Sequence, residues 1–336
     1  MRLNIGVDVG KSNIDVCILK QNQKPIFKKF TNCSQGFQLL LDWVLVKVNS
    51  NPNDILVTLE ATGVYHEKVA HFLDSSGFMV FIANPGKAKK FALSIGSIHK
   101  TDKSDSLMLA RFGASHEYLP NLWEPIDPTA QDLKAMSHRL SALEKDFLRE
   151  NNRLEAATIG NQSQSTIDSI NRMIQHISQE IKVCKSEIDA LIESNVVLRT
   201  NKKLLMSIKG IGPVMARELV TLFAFKDFKN AKQLAAYLGL IPQINESGIF
   251  KGRTSLSKNG PSRIRAKLYL AAVTAFTHNP DIKLQKERLL KAGKTKMQAL
   301  GAAMRKLAQI CFGVIKSQTP YSGLDTILRT QRHVKM

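Results

Sequence analysis

A chain of 336 residues with 43% apolar side chains can fill two or three domains. No apolar run reaches the ~20 residues that cross a bilayer, which excludes a helical membrane protein. The net charge of +20 is lopsided: residues 201–336 hold 25 Lys and Arg against 6 Asp and Glu, while 1–200 hold 23 against 22. Such an imbalance predicts a polyanionic partner for the second part rather than a surface charged for solubility.

Residues 3–9 and 13–19 are short β-branched runs separated by Gly10-Lys11-Ser12. They predict two strands, with a third over 25–31, a helix over 36–48 and a strand over 54–62. A helix over 65–77, a strand over 78–85 and helices over 86–95 and 102–115 follow, a mixed α/β order. Gly-Lys-Ser ends a phosphate-binding loop, but that loop needs four residues between its glycines, and Gly6 to Gly10 leaves three. It must also open a helix, and "NIDVCILK" alternates as a strand.

Asp8 sits instead inside an apolar run, where an unpaired carboxylate is expensive. Glu60 ends the strand "ILVTLE", and Asp102 and Asp105 stand three apart at the start of a helix, on one face. Four acids from two strands and a helix suit Mg²⁺, with Mn²⁺ as a substitute. Two such ions could hold both oxygens of an in-line phosphoryl displacement. Singly, each fits an ordinary role better than a ligand's: Asp102 as a helix cap with Thr101, Asp105 as a partner of Lys103 or Arg111, Glu60 as a strand-end surface acid; the metal reading rests on the set.

Further on, Leu133, Met136, Leu140, Leu143, Phe147 and Leu154 follow helical spacing, and "TIGNQSQST" breaks it. Ile167, Ile170, Ile174, Ile177, Ile181, Cys184, Ile188 and Leu191 then repeat every three and four residues, the pattern of a coiled-coil seam. The two arms predict a helical hairpin that pairs with another copy. Gly210-Ile211-Gly212 lies between two apolar helical runs and fits a helix–hairpin–helix, with backbone N–H groups and Lys209 toward phosphate. A plain helix connection fits nearly as well. Residues 230–276 predict a helix, a Gly/Ser/basic loop and another helix; beyond about Pro320 the chain looks weakly structured. Cys17, Cys33, Cys184 and Cys311 are too scattered for a zinc or redox site. With no signal-peptide pattern at the start, the chain is expected in the cytoplasm.

The stretches "IGVDVGKSNIDV", "LEATGVYHEKVAHFL", "KTDKSDSLMLARF", "LMSIKGIGPVMARELV" and "AAYLGLIPQINESGIFKGRTSLSKNGPSRIRAKLYLAA" together resemble the IS110/IS1111 family of transposases and the related Piv-type DNA invertases. The resemblance covers nearly the whole chain. It implies an RNase H/RuvC-like α/β domain over 1–115, a coiled-coil middle over 116–200, a mainly helical transposase domain over 201–320 and a tail over 321–336. Asp8, Glu60, Asp102 and Asp105 become the metal-binding tetrad. Ser247, followed by Gly248, becomes the nucleophile of a covalent phosphoserine step; the residues alone do not prefer it over Ser255, Ser257 or Ser262. Lys251, Arg253, Lys258, Arg263, Arg265 and Lys267 would surround it with phosphate contacts. The family further implies double-stranded DNA, a structured guide ("bridge") RNA, homo-oligomers and a bacterial nucleoid location. The competing expectations are a RuvC-like nuclease that uses water and a site-specific invertase.

Overall fold

The computed structural model describes residues 3–20, 23–61, 63–96, 101–116, 122–243, 246–247, 250–251 and 255–323. The chain divides into two compact units, Met1–Pro125 and Ile126–Met336. Among the described residues no helix is long and apolar enough to cross a membrane.

The first unit is built on β1 (Leu3–Val9), β2 (Asn13–Leu19), β3 (Ile26–Thr31), α1 (Ser34–Val48), β4 (Ile55–Glu60), α2 (His66–Ser75), β5 (Met79–Ala83), α3 (Pro85–Ser94) and α4 (Asp102–Ala114). The strands lie in the order β3-β2-β1-β4-β5. β1, β2 and β3 form an antiparallel meander, whereas β4 runs parallel to β1 and β5 parallel to β4. Strand alternation sorts the side chains. Ile5, Val7 and Val9 of β1 join Phe37, Leu40 and Val44 of α1 and Val69 and Leu73 of α2 in one core. The opposite face of β1, through Gly6, takes α4.

Gly6 makes that seat possible. A Cβ there would lie 1.9 Å from the Ser106 carbonyl oxygen and 2.4 Å from the Ala110 nitrogen. The backbones of strand and helix are in direct contact, which only a residue without a side chain allows. α4 starts with a capping box: Thr101 Oγ1 accepts from the Ser104 N–H, and Ser104 Oγ accepts from the Thr101 N–H. Thr101 therefore caps the helix, and Asp102 is left for other work.

The second unit consists of α5 (Pro128–Ile159), α6 (Gln164–Ser194), α7 (Val196–Met206), α8 (Pro213–Phe225), α9 (Ala231–Tyr237), the two-residue strands β6 (Pro242–Gln243), β7 (Glu246–Ser247), β8 (Phe250–Lys251) and β9 (Ser255–Leu256), then α10 (Ser262–His278), α11 (Pro280–Lys291) and α12 (Lys296–Ser317). α5 and α6 pack on each other as a hairpin capped by Asp127 and Ser163. Their inner halves, through Leu133, Leu140, Leu143, Cys184, Ile188 and Ile192, share one core with α7–α12. Toward the tip of the hairpin, Leu148, Ile159 and Met173 are exposed.

Helices α11 and α12 are not anticipated in the sequence reading, although their start signals are present. Asn279 caps α11 ahead of Pro280, and Thr295 with Gln298 forms a capping box for α12. The expectation of a loose end past Pro320 needs correcting at its start. The Tyr321 N–H donates to Ser207 Oγ at 2.8 Å, and its hydroxyl reaches the Asn279 amide oxygen at 3.0 Å and the Asp281 carboxylate. Residues 324–336 lie outside the described residues.

Candidate active site

The acids expected from the sequence gather on the α4 face of the first unit. β1 and β4 are in register from Leu3↔Ile55 to Val7↔Leu59, and the next step sets Glu60 beside Asp8. α4, seated on Gly6, carries Asp102 and Asp105 in its first turn, where the helix dipole favours negative charge. A fifth acid, not singled out in the sequence, joins them: Asp15 of β2 is the direct cross-strand partner of Asp8. The signal was available, because a hairpin that turns between Lys11 and Ser12 pairs residues whose numbers sum to 23.

Asp8 reports on this crowding. Its carboxyl is pushed up to about 6, first by burial and then by Asp105, Asp102, Asp15 and Glu60. Lys29 of β3, the cross-strand partner of Asp15, is the nearby counter-charge. Its Nζ lies 3.2 Å from Asp15 and 3.1 Å from Asp102. An all-carboxylate set that crowds Asp8 with like charge is the donor chemistry Mg²⁺ or Mn²⁺ takes, and a divalent ion would relieve that repulsion. As they stand, no three His, Cys, Asp or Glu side chains among the described residues are close enough to hold a metal ion. Cys17, on the same sheet face, is fully buried and its thiol pushed up to about 12, so it is inert.

In the second unit, Ser247 is exposed on β7, paired antiparallel with Phe250 of β8. Gly248 and Arg253 lie outside the described residues, as does the Lys251 side chain. Lys258 is exposed, in a left-handed backbone conformation, its N–H donating to the Gly239 carbonyl. Lys209 is exposed between α7 and α8, and its carbonyl accepts from Asn279 Nδ2 at 3.0 Å. Gly210 has φ +105°, and a Cβ there would meet Ala275 Cβ at 2.7 Å, so this turn lies flush on α10. Gly212 is exposed at the start of α8, with open space around it.

Three of the expected phosphate contacts have other partners. Arg263 Nη2 and Lys267 Nζ each lie 2.7 Å from the buried carboxylate of Glu218 on α8, with Glu144 of α5 at 3.7 Å from both. Arg263 also donates to Ser137 Oγ at 2.7 Å. Arg265 donates to the Leu238 and Asn259 carbonyls at 3.1 and 3.5 Å. These three cations tie α5, α8 and α10 together and close the loop before α10. Glu218→Ala should therefore strand two cations beside a single distant acid. The expected loss is about 3 kcal/mol of stability, read as a lower urea midpoint.

Two family models match successive parts of the chain, the first running from the sheet through most of α5. A family model described as "Transposase" (DEDD_Tnp_IS110) matches residues 5–158, and one described as "Transposase IS116/IS110/IS902 family" matches 202–287. The pilin gene-inverting protein of Moraxella bovis is 34% identical over 94% of this chain and 97% of its own length, and that of Moraxella lacunata matches equally. The insertion element IS900 uncharacterized 42 kDa protein of Mycobacterium paratuberculosis is 22% identical over 46% of this chain and 40% of its own. With one family model on the acid-bearing sheet and another on the basic helical part, and relatives aligned almost end to end, the chain belongs to the IS110 family of transposases, enzymes that process DNA.

Proposed function

We propose that this transposase breaks and rejoins DNA through a phosphoserine at Ser247, with Mg²⁺ or Mn²⁺ held by Asp8, Glu60, Asp102 and Asp105. The observation that carries the reading is the Asp8 carboxyl, lifted to about 6 by burial and four neighbouring acids. Folding such a cluster is costly, and a protein keeps it where a cation or a proton is part of the work. The strand order β3-β2-β1-β4-β5, with acids at the ends of β1 and β4 and at the start of α4, supports an RNase H/RuvC-like architecture. The bound ion would supply charge neutralisation on phosphate oxygens.

In this reaction Ser247 Oγ forms an ester bond to a backbone phosphorus while the bond to one sugar oxygen breaks. The serine proton ends on the departing sugar hydroxyl. The phosphodiester energy stays in the phosphoserine, so a second sugar hydroxyl can reverse the step and join a new partner without ATP. Lys209 and Lys258, both exposed, together with Lys251 and Arg253, hold phosphates; Gly210 and Gly212 shape the turn before α8.

The excess of basic residues in 201–336 supports a structured guide RNA beside the duplex DNA. Exposed Leu148, Ile159 and Met173 support pairing of the α5–α6 hairpin with another copy as a coiled coil. Inversion is the favoured outcome over insertion, because the relatives aligned over 94% of the chain are named for inverting a pilin gene. Ser247→Ala tests the chemistry: strand cleavage should fall below detection, whereas a nuclease that uses water would go on cutting.

A further inference from the structure

We infer that Lys29 is a positioning residue that holds Asp102 beside Asp15 when no metal is bound and competes with the divalent ion for Asp102. The inference rests on the metal reading given above and adds a residue to it. Three observations carry it. The cross-strand ladder Asp8↔Asp15↔Lys29 sets two like charges opposite each other and then a cation, all on the face that receives α4. Lys29 Nζ then bridges two elements, at 3.2 Å from Asp15 on β2 and 3.1 Å from Asp102 on α4. Finally, among the described residues no three His, Cys, Asp or Glu side chains are placed to hold an ion in this arrangement, so ligand side chains must shift before one binds.

Like charges directly opposed across strands are destabilising, and a cation beside them offsets that. An ammonium does so without satisfying the geometry of a divalent site, because it donates hydrogen bonds where the ion would accept oxygen ligands. For Asp102 to become a ligand it must let go of Lys29. The pair is half-exposed, with Lys29 at 51% and Asp102 at 64%, so exchange is easy and the barrier to metal entry small. The neighbouring lysine is a built-in comparison. Lys28 points to the other sheet face, its Nζ 5.1 Å above the Phe30 ring, and has no part in the acid cluster.

Mn²⁺ titrated into the full chain, followed by loss of the free-ion EPR signal, reads this directly. Lys29→Met should bind Mn²⁺ roughly two- to fivefold more tightly, since the exposed pair with Asp102 no longer competes. Lys29→Arg should keep the wild-type affinity, and Lys28→Met should leave it unchanged although it removes the same charge. Raising the salt should shrink the difference. Affinity unchanged or weakened in Lys29→Met, with binding still dependent on Asp8, overturns the role of Lys29 alone. Equal tightening in Lys28→Met overturns it too, since net charge would then explain the result. No Asp8-dependent Mn²⁺ binding in any variant overturns the metal reading and this inference together.

Discussion

Asp8→Asn should move activity and stability in opposite directions. Strand cleavage is expected to fall on the order of a thousandfold, the loss of several kcal/mol of charge stabilisation at the reacting phosphate. The metal-free protein should meanwhile become more stable at neutral pH. The Asp8 carboxyl titrates near 3.8 when unfolded and about 6 when folded, raised by burial and by Asp105, Asp102, Asp15 and Glu60. The folded state therefore holds the proton more tightly. The stability this contributes is complete below pH 4, fades as pH rises, and is gone above about pH 6. Asparagine has no proton to lose and should escape that decline. The gain at pH 7 should be on the order of 1 kcal/mol, discounted because the carboxylate is partly open to solvent. Urea unfolding in a chelator, repeated from pH 4 to 7, would show the two curves diverging across that window. Parallel curves would mean that the acids do not converge on Asp8.

Gly6→Ala should disable the same site without touching any acid. Its new methyl would enter the space of the Ser106 carbonyl and the Ala110 nitrogen, at 1.9 and 2.4 Å. Both are backbone atoms of α4, so no side chain can swing away, and the helix must lift from β1. Overpacking of this kind costs about 3 kcal/mol. Because Asp102 and Asp105 ride on the first turn of α4, lifting it also carries them away from Asp8. Cleavage should fall more than the folded fraction does, with the upward displacement of the Asp8 pKa reduced in the same variant. Gly301→Ala, whose Cβ would meet only Leu256 Cδ1 at an ordinary 3.5 Å, should change neither.

Period-2 and period-3.6 patterns made the α/β sheet and the long helical arms legible; Asp8 stood out in an apolar run, Glu60 at a strand end, and Asp102 and Asp105 by their spacing at a helix start. What escaped depends on partners distant in sequence. Arg263 and Lys267 read as phosphate contacts because they are basic and follow a Gly/Ser loop. The acid that claims them, Glu218, lies in "VMARELVTL", 45 residues before Arg263. A carboxylate in an apolar helical run was the same clue that marked Asp8, and the i, i+4 spacing of the two cations placed them on one face. Asp15 and Lys29 were missed for a related reason. Singly they are strand residues with charged ends, and only the hairpin register reveals the ladder. Helices α11 and α12 needed only their capping residues to be noticed.

The most direct test of the central claim is to find where DNA becomes attached. The full chain would be incubated with DNA from the flanks of its gene, RNA transcribed from them and Mg²⁺, then denatured and digested for peptide mass spectrometry. The account predicts a nucleotide-bearing peptide modified at Ser247, absent when a chelator replaces Mg²⁺ and absent in Asp8→Asn. Strand exchange that proceeds with no protein-bound DNA, or with the attachment on another residue, would contradict it.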